Sequence, residues 1–506
     1  MRRILGMATT LVVWVGAVAV FAVGSNRTAS AEPDASAPLR QQSSADSRLV
    51  AWVVLGANGQ AIARAITSRS NCPIIELDNT RYQMSLRAQA ETIPQRPTTS
   101  DPSQSRPSVF PVTTCEYSIP AGTQSAIVSD EAQQRLLPLP KPNPQRIVIL
   151  GDTGCRLHIG DPWQACNDVE EWPFRTIAEM AAGFEPDLVL HVGDYQYREN
   201  KCPVDIAGCV DGGWGYGWDT WDADLFTPGA ALLAAAPWIM VRGNHEECAR
   251  AGQGWYRFLD TQPYQTNRTC NDPANDAVAN YNDPYAVAIG DDTQVIVFDS
   301  SKVTTAPLQP SDPAFVNYQN ELRRVAELAQ ARPKALSMWA NHHPLLAFSP
   351  LPGTDVRPGN PALLSVMYAT YGDRYYPPGI GLALHGHTHI LELLNFSSNH
   401  PPTFMMGNGG DNLDLNLPDP FPTDAHPDSD FASAVNVRLD ASGRAEVAHT
   451  NMFGFVVADR EGDREWTFRA YTRHGRLLTT CAFVDGQSSC SDIGFLHEPP
   501  KRRATK

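Results

Sequence analysis

Downstream of residue 145 the apolar positions gather into short runs, at residues 146–150, 187–192, 238–241, 294–298, 335–339 and 380–384. Continuous apolar runs of this length, bounded by Gly, Asp or Asn, read as strands buried on both faces. Between several of them the period changes. Residues 174–184 and 315–331 place apolar side chains three and four apart (Phe315, Tyr318, Leu322, Val325 and Ala329 in the second), which predicts amphipathic helices. Strands alternating with such helices predict an α/β domain with its helices outside. Residues 434–489 hold further β-type runs, expected to complete a second sheet.

Upstream the pattern differs. Short β-type runs at 49–55, 61–66 and 126–128 are broken by turns and by a Pro/Ser/Thr stretch at 94–107, which predicts a small β-sandwich over residues 47–136. The segment 137–144 (LPLPKPNP) reads as a stiff extended linker, since each proline fixes φ and disfavours helix before it. The next domain is expected over 145–495, with a tail at 496–506.

Residues 1–31 have the form of a signal peptide: Arg2 and Arg3, an apolar run from about Leu11 to Val23, then Ala29-Ser30-Ala31. Stretched to about 20 residues, the same run would serve as an uncleaved anchor. Residues 32–46, rich in Ala, Ser, Pro and Gln, read as a disordered lead-in. Removing 1–31 takes Arg2, Arg3 and Arg27 from the 40 basic residues and none of the 55 acidic ones. The remaining surface is strongly acidic, which disfavours nucleic acid as a partner and requires any phosphate to be attracted locally. The ten cysteines all lie beyond the signal and have no CxxC spacing, so in an exported chain they read as five disulfides rather than a zinc site. These features imply secretion or a periplasmic location, with no membrane contact once the signal is gone.

The candidate chemistry lies in the loops directly after the buried runs. In order these are Gly151-Asp152-Thr153-Gly154, Gly193-Asp194-Tyr195-Gln196-Tyr197, Gly243-Asn244-His245-Glu246, Asn341-His342-His343-Pro344 and His385-Gly386-His387-Thr388-His389. In open α/β folds the carboxyl ends of the strands converge on one crevice, so the five loops can meet. Two carboxylates, a carboxamide, several imidazoles and a phenol suit hard or borderline metal ions rather than thiophilic ones. Two ions about 3.5–4 Å apart could clamp a phosphate between them.

These blocks resemble the calcineurin-like metallophosphoesterases, and within them the purple acid phosphatases, over about residues 146–410. Two features point to the purple branch: Gly154 stands where most of the superfamily has a ligand histidine, and Tyr197 stands where the branch has a metal-bound tyrosinate. The resemblance implies an αββα sandwich. It implies Fe(III) held by Asp152, Asp194, Tyr197 and His389, and a divalent ion (Fe, Zn or Mn) held by Asn244, His342, His387 and the bridging Asp194. His245 would be the general acid or charge stabiliser facing the phosphate. Of the doubled histidines, His342 is the assigned ligand, because the family's ligand precedes a small residue and then proline, the place His342 takes before His343-Pro344. The block departs from the family at Trp339, where an aliphatic residue is usual.

The implied activity is hydrolysis of small phosphate monoesters by a metal-bound hydroxide. The alternatives are a phosphodiesterase or nucleotide pyrophosphatase on the same core, and a secreted binding protein with a degenerate metal core. Outside the five blocks, His191 reads as a satisfied core histidine and His385 as support at most. Glu246 is expected to sit behind the ligands. Trp214, Trp218 and Trp221 are expected to pack a long loop rather than wall a pocket, and the acidic segment 411–430 is expected to be a solvated loop.

Overall fold

The computed structural model describes residues 48–98, 102–428 and 435–498. The signal and lead-in segments, and residues 499–506 of the tail, lie outside the described residues. The predicted runs become strands within a residue or two: Arg146–Leu150, Leu188–His191, Trp238–Met240, Thr293–Val297, Leu336–Ala340 and Ile380–His385. The first three pair in parallel, with Ile147 opposite Leu188 and Leu190 opposite Ile239. The last three also pair in parallel, in a second sheet, with Val295 opposite Met338 and Ala340 opposite Leu384. Each parallel set therefore presents its carboxyl ends along one edge.

Alternation along the strands explains why both faces are apolar. Ile147, Ile149, Leu188 and Leu190 of one sheet share a core with Val295, Val297, Met338, Leu382 and Leu384 of the other. The intervening Val148, Leu150, Val189, Trp238 and Met240 point the opposite way, onto the helix Phe174–Ala182. On the far side, Ile296, Trp339 and Ala383 meet the helices Pro313–Ala331 and Pro361–Tyr371. The buried residues of Pro313–Ala331 include Phe315, Tyr318, Leu322, Val325 and Ala329, the stripe that the periodicity predicts. Two sheets face to face with helices outside give the expected αββα sandwich.

The C-terminal strands differ from expectation in where they attach. Gly454–Gly462, Glu465–Thr472, Leu477–Val484 and Gln487–Cys490 extend the first sheet, starting antiparallel beside Arg146–Leu150 with Ile147 opposite Ala458. Val447–Thr450 and Gly494–Phe495 join the second sheet. Alternating apolar residues specify a strand, but they do not specify its neighbour.

The N-terminal segment is all β, and its strands continue the first sheet. Leu49–Leu55 pairs antiparallel with Ala61–Thr67 and in parallel with Trp238–Met240, through Val54 and Trp238. A four-stranded sheet built from Ile74–Leu77, Thr80–Gln83, Ala126–Ser129 and Gln134–Leu136 and a two-stranded one of Glu91–Ile93 and Ser108–Phe110 complete the segment. Five disulfides join sequence neighbours: Cys72–Cys115, Cys155–Cys166, Cys202–Cys209, Cys248–Cys270 and Cys481–Cys490. Among the described residues no cysteine is free, and no helix is long and apolar enough to cross a membrane.

Candidate metal centre

All five loops meet at the carboxyl ends of the parallel strands. Getting there strains the backbone: Asp152, Asp194 and His387 have φ of 57°, 58° and 75°, in the left-handed region that non-glycine residues seldom occupy. Such outliers persist where the surroundings hold them, typically at functional sites. Here Glu246 supplies much of the hold. Its buried carboxylate accepts backbone N–H groups from Asp194 (3.1 Å), Tyr195 (2.9 Å), Gln196 (3.3 Å) and Gly243 (3.1 Å), fastening the second and third loops together.

The donor atoms form two adjoining sets. In the first, the phenol oxygen of Tyr197 lies 3.0 Å from Asp152 Oδ1, 2.9 Å from Asp194 Oδ2 and 3.1 Å from His389 Nε2. In the second, Asn244 Oδ1 lies 3.0 Å from His342 Nε2 and 2.9 Å from His387 Nδ1. Asp194 Oδ2 belongs to both, because it is also 3.0 Å from His342 Nε2. Asp194, His342 and His387 each offer a ligand atom within 4.8 Å of the others.

The outer contacts suit these imidazoles to metal. His342 Nδ1 is 2.9 Å from the Val192 carbonyl and His389 Nδ1 is 2.7 Å from the Asn412 carbonyl. A carbonyl only accepts, so Nδ1 carries the proton and Nε2 keeps its lone pair towards the site. The electrostatics agree. Against burial, which lowers it, the Asp194 and Asp152 carboxylates hold His342 up at about 9. Against burial, Asp411 and Asp152 do the same for His389, also to about 9. In this largely buried cluster His342, His389 and Tyr197 hold their protons when no cation is present, whereas burial and the neighbouring His342 push His387 the other way. Oxygen and nitrogen donors convergent on two points, with tautomers fixed from behind, fit two hard or borderline cations.

His245 is held from outside the ligand sets. Its backbone N–H donates to Asp194 Oδ1 at 2.8 Å, and its Nδ1 lies 2.6 Å from Glu199 Oε1. Arg250 pairs with the same Glu199 oxygen and lies 2.7 Å from His245 Nδ1, while the Tyr216 hydroxyl donates to Glu199 Oε2 at 3.0 Å. Burial and the Arg250 charge push His245 down to about 4.

All seven predicted ligands and His245 are thus brought together, whereas His343 turns aside to Ser300. His191 is satisfied in the core, with Nε2 3.0 Å from Thr153 Oγ1 and Nδ1 accepting from Gly193 N. His385 stays outside both donor sets, with Nδ1 3.3 Å from the Asn341 carbonyl. Trp218 and Trp221 pack in the core, and Trp214 lies half-buried under the Arg106 guanidinium.

Several contributors carry no motif. Glu199 and Arg250 escape sequence reasoning, as does Arg156, whose guanidinium lies 4.8 Å from the centre of the Tyr197 ring. The start of the acidic segment is not solvated. Asp411 is fully buried, pairs with Arg156 and lies 3.5 Å from His389 Nδ1, and Asp414 accepts the His389 backbone N–H at 2.8 Å. Only the closeness of Asp411 to Gly409-Gly410 offers a sequence signal. Residues 429 and 430 of that segment lie outside the described residues.

A double-sheet sandwich thus carries two adjoining oxygen- and nitrogen-donor sets at its strand ends, an arrangement able to hold two metal ions. Residues 145–391 match the family model for calcineurin-like phosphoesterases. All seven predicted ligands fall inside the matched span. Similar solved structures include a purple acid phosphatase, PPD1, from yellow lupin (Lupinus luteus) seeds, with 13% identity, a TM-score of 0.49 and coverage of 89% of this chain and 75% of that one. PhoD is another, with 9% identity, a TM-score of 0.47 and coverage of 88% and 92%. No curated protein matches the chain.

Proposed function

We propose that this chain is an exported phosphatase of the purple-acid-phosphatase kind, hydrolysing small phosphate monoesters. The observation that carries the reading is the place of Asp194 Oδ2, 2.9 Å from a phenol oxygen on one side and 3.0 Å from an imidazole nitrogen on the other. One carboxylate oxygen shared by a phenol-bearing set and an amide–imidazole set suits a ferric ion beside a divalent one (Fe, Zn or Mn). Asp152, Tyr197 and His389 would hold the first, Asn244, His342 and His387 the second, and Asp194 both. Bound there, the two cations supply Lewis acidity for a phosphoryl group and acidify coordinated water.

The chain's own residues supply the rest. Arg250, fixed by Glu199, brings permanent positive charge to an otherwise acidic protein. The His245 Nδ1–H donates a hydrogen bond to Glu199, which leaves Nε2 3.9 Å from Asp194 Oδ2 and 2.8 Å from the Arg250 guanidinium. Below about pH 4 it carries a proton on Nε2 as well and can donate it to the leaving group; above that it is neutral, and the adjoining Arg250 supplies the positive charge. Five disulfides suit an oxidising compartment, in keeping with secretion or the periplasm.

The test is a visible spectrum of the oxidised protein with iron quantified on the same sample. A broad band at about 500–600 nm, lost in Tyr197→Phe, is expected for a tyrosinate bound to Fe(III). Bound metal with no such band would remove the ferric–tyrosinate assignment. Relative turnover of p-nitrophenyl phosphate and its bis ester tests the monoester preference.

A further inference from the structure

Arg156 and Arg250 both lie against groups of the site, and they differ in what their guanidinium nitrogens have left to give. Arg156, over the Tyr197 ring, is fully engaged: Nε and Nη2 pair with Asp411, and Nη1 lies 2.7 Å from Asp161 Oδ2. In Arg250, Nε lies 2.9 Å from Glu199 Oε1 and Nη2 bonds the same oxygen. Glu199 is 1% exposed, so separating the pair would strand a buried charge. Arg250 Nη1 has no partner among the described residues, and the side chain keeps 13% of its surface open to solvent.

A guanidinium is planar, and its N–H groups point in fixed directions. Glu199 takes the Nε–Nη2 edge, which leaves the edge formed by Nη1 and Nη2. That edge lies against His245, with Nη2 2.7 Å from Nδ1 and 2.8 Å from Nε2 of the ring. His245 Nε2 is in turn 3.9 Å from Asp194 Oδ2, the atom common to both donor sets. Against burial, which lowers the Arg250 pKa, Glu199 first, then Tyr216 and Asp194, raise it above the usual arginine value. The guanidinium is therefore a permanent charge beside the shared oxygen, with one edge still open.

A phosphate monoester has three terminal oxygens and a diester has two. With two of them committed to the cations of the proposed centre, a monoester keeps a third that is charged and able to accept. A diester has an ester oxygen in that place, which bears carbon and accepts weakly. The chain carries a formal net charge of −15 at pH 7, so the third oxygen must find its counter-charge locally. An arginine edge supplies charge and direction together.

We infer that Arg250 is the residue that selects monoesters, its Nη1–Nη2 edge donating to the terminal oxygen that a diester lacks; this rests on the phosphoesterase reading above. Glu199 is a positioning residue that holds the opposite edge.

The experiment uses the full metal-loaded protein, with inorganic phosphate as the probe and p-nitrophenyl phosphate and its bis ester as substrates. R250K keeps a charge for Glu199 and loses the planar edge. The double variant R250M/E199Q removes the arginine without leaving a buried acid unpaired, and E199Q alone is its reference. With metal content unchanged, phosphate should bind the double variant about ten- to a hundredfold more weakly than E199Q, as expected for losing a hydrogen bond between charged groups. Its preference in kcat/KM for the monoester over the bis ester should shrink by a similar factor, with R250K between. An arginine acting only through His245 would slow both esters alike. An unchanged ester ratio in the double variant therefore overturns the inference, as does unchanged phosphate affinity. If the double variant does not fold or loses metal, R250K with the ratio and affinity of the unmodified protein overturns it. An unmodified, metal-replete protein that binds no phosphate and hydrolyses neither ester would instead overturn the phosphoesterase reading itself.

Discussion

A Cβ placed on Gly154 would lie 2.8 Å from Cδ2 of the Tyr197 ring and 2.8 Å from the Tyr197 backbone nitrogen. A side chain at 154 and the ring at 197 exclude one another. The two positions stand out in the sequence as a ligand lost and a ligand gained, and the structure gives that coupling a steric cause. Gly154→Ala cannot be relieved by turning the Tyr197 ring alone, since the Tyr195 carbonyl would also be only 2.9 Å away. We expect it to cost about 1–3 kcal/mol and to weaken metal retention at the Tyr197 side. Thermal unfolding with iron analysis checks this, and an unchanged melting temperature and iron content would refute it.

Metal uptake should release protons. Without cations, His342 and His389 are held at about 9, above their usual 6.5, by neighbouring carboxylates acting against burial. At pH 7 both are therefore protonated, and each must lose that proton to offer Nε2. Affinity should rise with pH through about 9, and the Tyr197 phenol, held above its usual range by burial and Asp152, adds its own proton to the release. Calorimetry in buffers of different ionisation enthalpy measures the release; uptake independent of both buffer and pH between 6 and 9 would contradict the electrostatics of the cluster.

Asp194 and His245 should separate metal binding from turnover. Asp194→Ala removes the atom common to both donor sets and is expected to lose both metals. His245→Ala should keep them while turnover drops by about 10²–10⁴-fold, the range for a positioned proton-handling group. Glu199→Gln should lower turnover less, since its amide oxygen still accepts from Nδ1. Full metal occupancy in Asp194→Ala would sink the bridging role.

The Cys248–Cys270 bond closes a loop of sequence separation 22 that contains Arg250 and the helix Gly252–Phe258. Replacing both cysteines by serine should cost about 2–4 kcal/mol. Activity measured well below the melting temperature should fall too, because Arg250 loses its support. A variant with lower stability and full activity would show that the loop keeps its shape unaided.

Much of this site is legible because metal ligation demands particular atoms at particular strand ends, and the chain has to spell them out. Asp152, Asp194, Asn244, His342, His387 and His389 all sit two to four residues beyond a strand. The helix stripe at Phe315–Ala329 is legible for a similar reason, since burying one face leaves a period. The groups behind the ligands leave no such trace. Glu199, Arg250, Asp411 and the Asn412 carbonyl act by being brought close, and nothing local marks them. Glu246 is expected behind the ligands, but its four backbone contacts arise from the meeting of two loops far apart in sequence. Sheet order is equally hidden, because the residues of 49–55 and 454–462 fit a strand without naming Trp238–Met240 or Arg146–Leu150 as the partner.

That last pairing bears on how the molecule comes into being. By His389 the growing polypeptide has acquired every atom assigned to ligation, yet the strand that delivers Asp152 still lacks its neighbour Gly454–Gly462 on one side. The carbonyl of Asn412 that orients His389 also comes later. A fragment ending near residue 400 would own every assigned ligand but lack the strand flanking Arg146–Leu150 and the carbonyl that orients His389. Holding the assigned ligands in place therefore draws on residues well beyond the last of them, at Asn412 and along Gly454–Gly462.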